Sequence, residues 1–127
     1  MIFADTDVLI NFLGGLPPAA DHVTGELVRN NLATTAITRF ELLSGARGQR
    51  ELHETQRLLD TIHNAPLSNA AADRAAEIRR DLLRAGNEIG MVDSLIAGIV
   101  LTAGGSLMTR SQRHFERIKA LPLVERT

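Results

Sequence analysis

Apolar residues along this chain follow two rhythms: short continuous runs, and longer stretches in which they recur every three or four positions. The first run, Ile2-Phe3-Ala4, predicts a strand. After the polar turn Asp5-Thr6-Asp7 come Val8, Leu9, Ile10, Phe12 and Leu13, closed by Gly14-Gly15, the pattern of a short helix ended by glycine. Pro17-Pro18 opens a second helix over 19–30, because proline suits a helix start. Residues 32–37, with Thr34-Thr35-Ala36-Ile37, predict a second strand. Thr38-Arg39-Phe40-Glu41 then has the capping-box form and predicts a helix from 38 to about 45.

Farther along, Leu52, Leu58, Leu59 and Ile62 share one face of a helix over 49–63, and 66–68 reads as extended. Asn69 is expected to cap a helix to 85 with Ala72, Ala76, Ile78, Leu82 and Leu83 inward and Gly86 as its stop. The stretch 94–103 is apolar on nearly every face and predicts a buried helix, stopped by Gly104-Gly105. A strand over 106–109, a short helix over 111–118 and a strand over 121–124 complete the pattern. Strands alternating with helices imply right-handed crossovers. The expected fold is therefore α/β, in three layers, with a mainly parallel central sheet of four to five short strands flanked by helices.

With 127 residues and no repeat or linker, one domain over 1–127 is expected, large enough for a core without staples. The chain has no cysteine, which excludes a disulfide scaffold, a cysteine zinc site and a thiol nucleophile. That absence suits a reducing cytosol, and a cytoplasmic location is expected. No run approaches the ~18 apolar residues of a membrane span, and the first residues carry two aspartates and no basic cluster, unlike a secretory signal. The net charge of −1 argues against a protein that coats nucleic acid. It leaves open an acidic pocket with local arginines, and of the 14 basic residues all but Lys119 are arginine.

The candidate chemistry lies in where certain acids fall. Asp5 follows the first strand, Glu41 follows the second, and Asp93 starts the buried helix. In an open parallel sheet, sites form beyond the carboxyl ends of the strands. Three converging carboxylates repel unless protons or a cation intervene. Mg²⁺ or Mn²⁺, hard ions that prefer oxygen, are the natural partners, and such an ion supports phosphodiester hydrolysis. Each acid also has a structural reading. Asp5 or Asp7 suits a helix cap, Glu41 the third position of the capping box, and Asp93 the positive end of its helix. The apolar neighbours of Asp93 make an unpaired charge there costly.

Four segments resemble PIN-domain nucleases. Asp5-Thr6-Asp7-Val8-Leu9-Ile10 is similar to their opening motif, and Thr38-Arg39-Phe40-Glu41-Leu42-Leu43-Ser44-Gly45 to their second. The run from Ile89 to Ala97, with Gly90 and Asp93, resembles the third. Thr109-Arg110 followed by His114-Phe115-Glu116-Arg117-Ile118 resembles the closing segment. Length and order point to the VapC-like toxins of toxin–antitoxin pairs. The resemblance implies that Asp5 and Asp93 hold Mg²⁺ or Mn²⁺ and that Glu41 is a third catalytic acid. It also implies an RNA substrate cut internally, a VapB-like antitoxin and a homodimer.

Departures shape this expectation. Ser111 stands where many relatives have a further acid or asparagine, so one metal is expected rather than two, with Asp7, Thr109 and Ser111 in support. His114 stands where many have aspartate, and reads either as a phosphate contact or proton donor or as a surface histidine. His22, His53 and His63 lack ligand spacing and read as surface. Arg39, Arg110 and Arg113 flank the groove and either grip phosphate or balance the acids. Two rivals remain. One is a PIN-like binding module without chemistry. The other is a haloacid-dehalogenase-type phosphatase, which Asp5-Thr6-Asp7 fits; but the one lysine, Lys119, follows Asp93, and no later acid pair exists. A receiver domain lacks its aspartate, since Ser68-Asn69 occupies that place.

Overall fold

In the computed structural model, which describes residues 1–124, four short parallel strands form one sheet. Strand β1 (Ile2–Ala4) lies between β2 (Leu32–Thr35) and β4 (Ser106–Met108), and β3 (His63–Ala65) pairs with the outer side of β2. Every pair is parallel, in the order β3-β2-β1-β4. The helices α1 (Thr6–Leu13), α2 (Ala19–Val28), α3 (Ala36–Gly45), α4 (Gly48–Thr61), α5 (Asn69–Arg84), α6 (Met91–Thr102) and α7 (Gln112–Phe115) fill the connections. This is the parallel α/β architecture the hydrophobic rhythm predicts. The expected last strand is reduced to one bridge, Leu107 to Leu123, at the β4 edge. Of the expected domain over 1–127, residues 125–127 lie outside the described residues.

The core divides by strand alternation. Phe3, Ala33 and Leu107 point to one face, against Ala71 and Ile78 of α5 and Ile96 and Val100 of α6. Their neighbours Ala4, Leu32 and Met108 point to the other, against Val8, Val23 and Leu59 of α1, α2 and α4. All four residues of β2 are buried, as befits a central strand covered on both faces.

Several boundaries differ from the expected ones, each for a visible reason. β2 ends at Thr35, whose hydroxyl accepts the Thr38 amide at 3.1 Å, so α3 starts three residues before the expected capping box. α4 stops at Thr61, because the Asn64 side chain donates to the Leu59 and Ile62 carbonyls at 2.8 and 2.9 Å. The third strand is therefore His63–Ala65 rather than 66–68. Ser68, not Asn69, caps α5, accepting from the Ala71 amide at 3.1 Å. The buried face of α5 is Ala71, Ala75 and Ile78, while Ala76 and Leu83 are exposed. α7 covers only Gln112–Phe115 of the helix expected over 111–118. His22, expected at the surface, is half-buried, and its Nδ1 has no hydrogen-bond partner among the described residues.

The closest helix contact holds α6 against α5. A Cβ on Gly98 would lie 2.5 Å from the Ala71 carbonyl oxygen and 2.8 Å from Ala75 Cβ. Only a glycine lets α6 lie so near, and α6 carries Asp93 to the site. Gly98→Ala should therefore destabilise the protein by about 2–3 kcal/mol, the usual cost of overpacking. Urea denaturation would read this as a lower midpoint with unchanged slope. A midpoint equal to wild type would contradict the tight packing.

Candidate active site

Parallel register delivers the first acid. β1 pairs with β4 so that Ala4 faces Met108, which sets Asp5 beside Thr109 beyond the carboxyl edge. The Asp5 amide donates to the Met108 carbonyl at 2.9 Å. Its side chain caps α1, Oδ1 accepting from the Thr6 amide at 2.8 Å, while Oδ2 accepts from Thr109 Oγ1 at 2.7 Å. Thr109 Oγ1 also accepts the Ser111 amide at 3.0 Å, which turns its single proton toward Asp5. Ser111 itself sits at the N-cap of α7 without a side-chain capping bond.

Asp5 is a cap, as its structural reading held, but it is an expensive one. Only 7% of the residue is exposed. Burial pushes its pKa up from 3.8 to about 6; the Thr109 and Thr6 hydrogen bonds oppose this, and the charges of Asp93 and Asp7 add to it. Asparagine or serine would cap the helix without that charge.

Glu41 loses its structural reading, because the helix starts at Ala36 and places it in the second turn. Its Oε1 accepts from Thr6 Oγ1 at 2.6 Å, and Thr38 Oγ1 lies 3.1 Å from the same hydroxyl. Thr6 thus touches Asp5 through its amide and Glu41 through its hydroxyl. Neither Thr6 nor Thr38 was singled out by the acids' spacing. The available signal was a hydroxyl residue directly after Asp5 and another three before Glu41.

Asp93 stands in the first turn of α6, with 31% of its side chain exposed. It is less enclosed than its apolar neighbours implied, because Met91 and Val92 face solvent. His114 Nδ1 lies 3.5 Å from Asp93 Oδ2, an ion pair when the imidazole is protonated. The histidine is both exposed and in contact with the acid. Asp7 is exposed in the first turn of α1. Arg110 and Arg113 are exposed beside Thr109 and Ser111. Arg39 is held elsewhere, donating to Asn64 Oδ1 at 3.1 Å and Asp60 Oδ1 at 3.2 Å.

Among the described residues, no three His, Cys, Asp or Glu side chains cluster tightly enough to cage an ion. Asp5 and Asp93 are still near enough that the charge of one raises the pKa of the other. Two carboxylates with space for water fit a largely hydrated Mg²⁺ or Mn²⁺, which binds through one or two protein carboxylates, better than a many-ligand calcium cage.

Carboxylates from two neighbouring strand ends and a buried helix, steered by threonine hydroxyls, define an α/β domain with an acidic site beyond its sheet edge. The PIN domain family model matches residues 2–121, and the chain belongs to the PIN-domain family. Within it, the chain is 33% identical over 121 residues to ribonuclease VapC10 of Mycobacterium tuberculosis, covering 95% of this chain and 90% of that protein. It is 29% identical to the tRNA(fMet)-specific endonuclease VapC of Shigella flexneri, covering 92% and 91%. The fold superposes with a TM-score of 0.84 on a chain of DNA-bound VapBC from Salmonella typhimurium, at 23% identity and covering 97% and 96%. It superposes at 0.81 on VapBC-1 from nontypeable Haemophilus influenzae, at 23% identity and 98% of both chains.

The raised pKa of Asp5 has a thermodynamic consequence. An aspartate that titrates at about 6 folded and 3.8 unfolded takes up a proton on folding between those values. Above pH 6 the buried charge opposes folding, by about 3 kcal/mol at full ionisation, and the cost fades as pH falls toward 4. Asp5→Asn should therefore melt higher than wild type in EDTA at about pH 7.5, and the gap should narrow as pH falls through 6 and close below 3.8. Parallel melting curves across that range would contradict a buried, costly carboxylate.

Proposed function

We propose that this protein is a Mg²⁺- or Mn²⁺-dependent endoribonuclease, the toxin of a VapBC-type pair. The observation that carries the proposal is Asp5: a carboxylate buried at a cost to stability, steered by two donors and facing a second acid. Similarity to proteins named as VapC ribonucleases supports RNA as the substrate.

Asp5 and Asp93 would hold one ion, which when bound polarises the phosphodiester and acidifies a water. Thr109 and the Thr6 amide fix both Asp5 oxygens, so the carboxylate is oriented before the ion arrives. Thr6 fixes Glu41 Oε1, leaving Oε2 to accept a proton from the attacking water. Asp7 adds negative charge at the rim. Ser111 holds Thr109 in line through its amide. Arg110 and Arg113 grip flanking phosphates, and Arg39 braces α3 against Asp60 and Asn64.

A VapB-like antitoxin is the proposed regulator. A groove of about 450 Å³ between α1, α3 and α4, lined by Ile10, Leu13, Leu42 and Arg47, offers it apolar surface. A second copy of the chain is the other proposed partner, and exposed Leu83 and Met91 supply apolar area for it. No helix among the described residues is long and apolar enough to cross a membrane, and the proposed location is the cytoplasm.

The test is cleavage of internally labelled single-stranded RNA with Mg²⁺ or Mn²⁺. EDTA should abolish cutting. Glu41→Gln should slow it about a hundredfold, and Asp5→Asn and Asp93→Asn at least as much. Calorimetric titration of Mn²⁺ should show binding to wild type and not to Asp5→Asn. Equal cutting by all four proteins, or cutting unaffected by EDTA, would overturn the proposal. RNA binding without cutting at any metal concentration would favour a binding module.

A further inference from the structure

One aromatic ring in this protein is left in water. The chain has four phenylalanines and no tyrosine or tryptophan. Phe3 and Phe115 are fully buried and Phe12 packs against the core, but Phe40 is 70% exposed. A phenyl ring offers a large flat apolar face, and this one stands beside the acidic site.

Its place on α3 is defined by its neighbours. Thr38 and Glu41 turn toward Thr6, and Leu42 is buried in the core with α1 and α4. Arg39 turns toward Asp60 and Asn64 at the α4–β3 corner. Ile37 packs on the core that α6 shares. At about 100° per residue, Phe40 follows the Ile37 side one turn farther along and stands beside Glu41. That is the rim of the cleft between α3, which carries Glu41, and α6, which carries Asp93 behind exposed Met91 and Val92. Arg110 and Arg113 are exposed on the segment after β4, which bears Thr109.

We propose that Phe40 is a stacking platform for a base of single-stranded RNA entering the acidic cleft. This rests on the ribonuclease reading above. A nucleobase is a flat apolar face on a charged backbone. A ring beside Glu41, in a site whose Thr109 segment also carries the exposed Arg110 and Arg113, matches that chemistry. Stacking accepts any base and holds the strand in place; it adds no group to the chemical step.

The absence of tryptophan makes the test direct. Phe40→Trp introduces one fluorophore at the platform. In EDTA, a mixed-sequence ten-nucleotide RNA should quench it, whereas inorganic polyphosphate, which has charge but no bases, should not. Phe40→Ala should weaken binding of the same RNA about tenfold, with the melting temperature unchanged because the ring is exposed. Phe40→Trp should bind as tightly as wild type. In steady-state cleavage, Phe40→Ala should raise KM and leave kcat within about twofold.

RNA cut normally by wild type but failing to quench Phe40→Trp would overturn the platform and leave the ribonuclease reading intact. Quenching without any cutting would do the reverse. Emission that shifts with protein concentration alone, with no response to RNA, would assign the ring to a second copy of the chain and also overturn the proposal.

Discussion

A buried carboxylate at a helix start is the constraint that the rest of this structure serves. Asp5 lies at the carboxyl end of the central strand, nearly out of reach of water, with a pKa raised to about 6. Nothing about folding asks for a charge there, since a neutral cap would satisfy the α1 amides at lower cost. Around it the chain places donors that aim the charge rather than neutralise it. The Thr6 amide and the Thr109 hydroxyl hold one oxygen each, and no arginine, lysine or histidine is paired with it among the described residues. The charge is left uncompensated, facing Asp93, which is the arrangement a cation can complete.

Packing at some distance makes that arrangement rigid. The four-residue strand β2 is buried throughout, and its end sets Thr35 to cap α3 and so fixes where Glu41 falls. The glycine contact between α6 and α5 sets how closely those two helices pack, and with it the position of Asp93. Each acid is carried by a different element, and each element is anchored in one of the two apolar layers. The acids repel one another, so their proximity is sustained by hydrophobic burial elsewhere.

Much of this was legible in the sequence. The apolar rhythm yields the parallel α/β order, and the placement of Asp5, Glu41 and Asp93 after strands or at helix starts points to one edge of the sheet. Hydrogen bonds made by small polar side chains were not legible. Thr35, Ser68 and Asn64 decide where α3 and α5 begin and where α4 ends, and each competes with a neighbour of similar propensity, Thr38, Asn69 or Pro66. The capping box at Thr38 was a real pattern overruled by Thr35, three residues earlier. Nor could the pattern show Thr6 linking two acids, because that link joins residues 35 apart and depends on how α3 stands against α1. The surroundings of Asp93 were misjudged because neighbours in sequence on a helix point to different sides; Met91 and Val92 are apolar and still face water.

The bond between Thr109 and Asp5 spans 104 positions of the chain. The acid is therefore made well before its hydroxyl donor. The central strand likewise waits for β4, its partner on one side, which follows β2 and β3 in the chain. A nascent chain therefore carries Asp5 and Glu41 long before it can orient the first of them. Folding of the sheet's β1–β4 seam, which must close the long loop between Ala4 and Ser106, sets the moment at which the site comes into being.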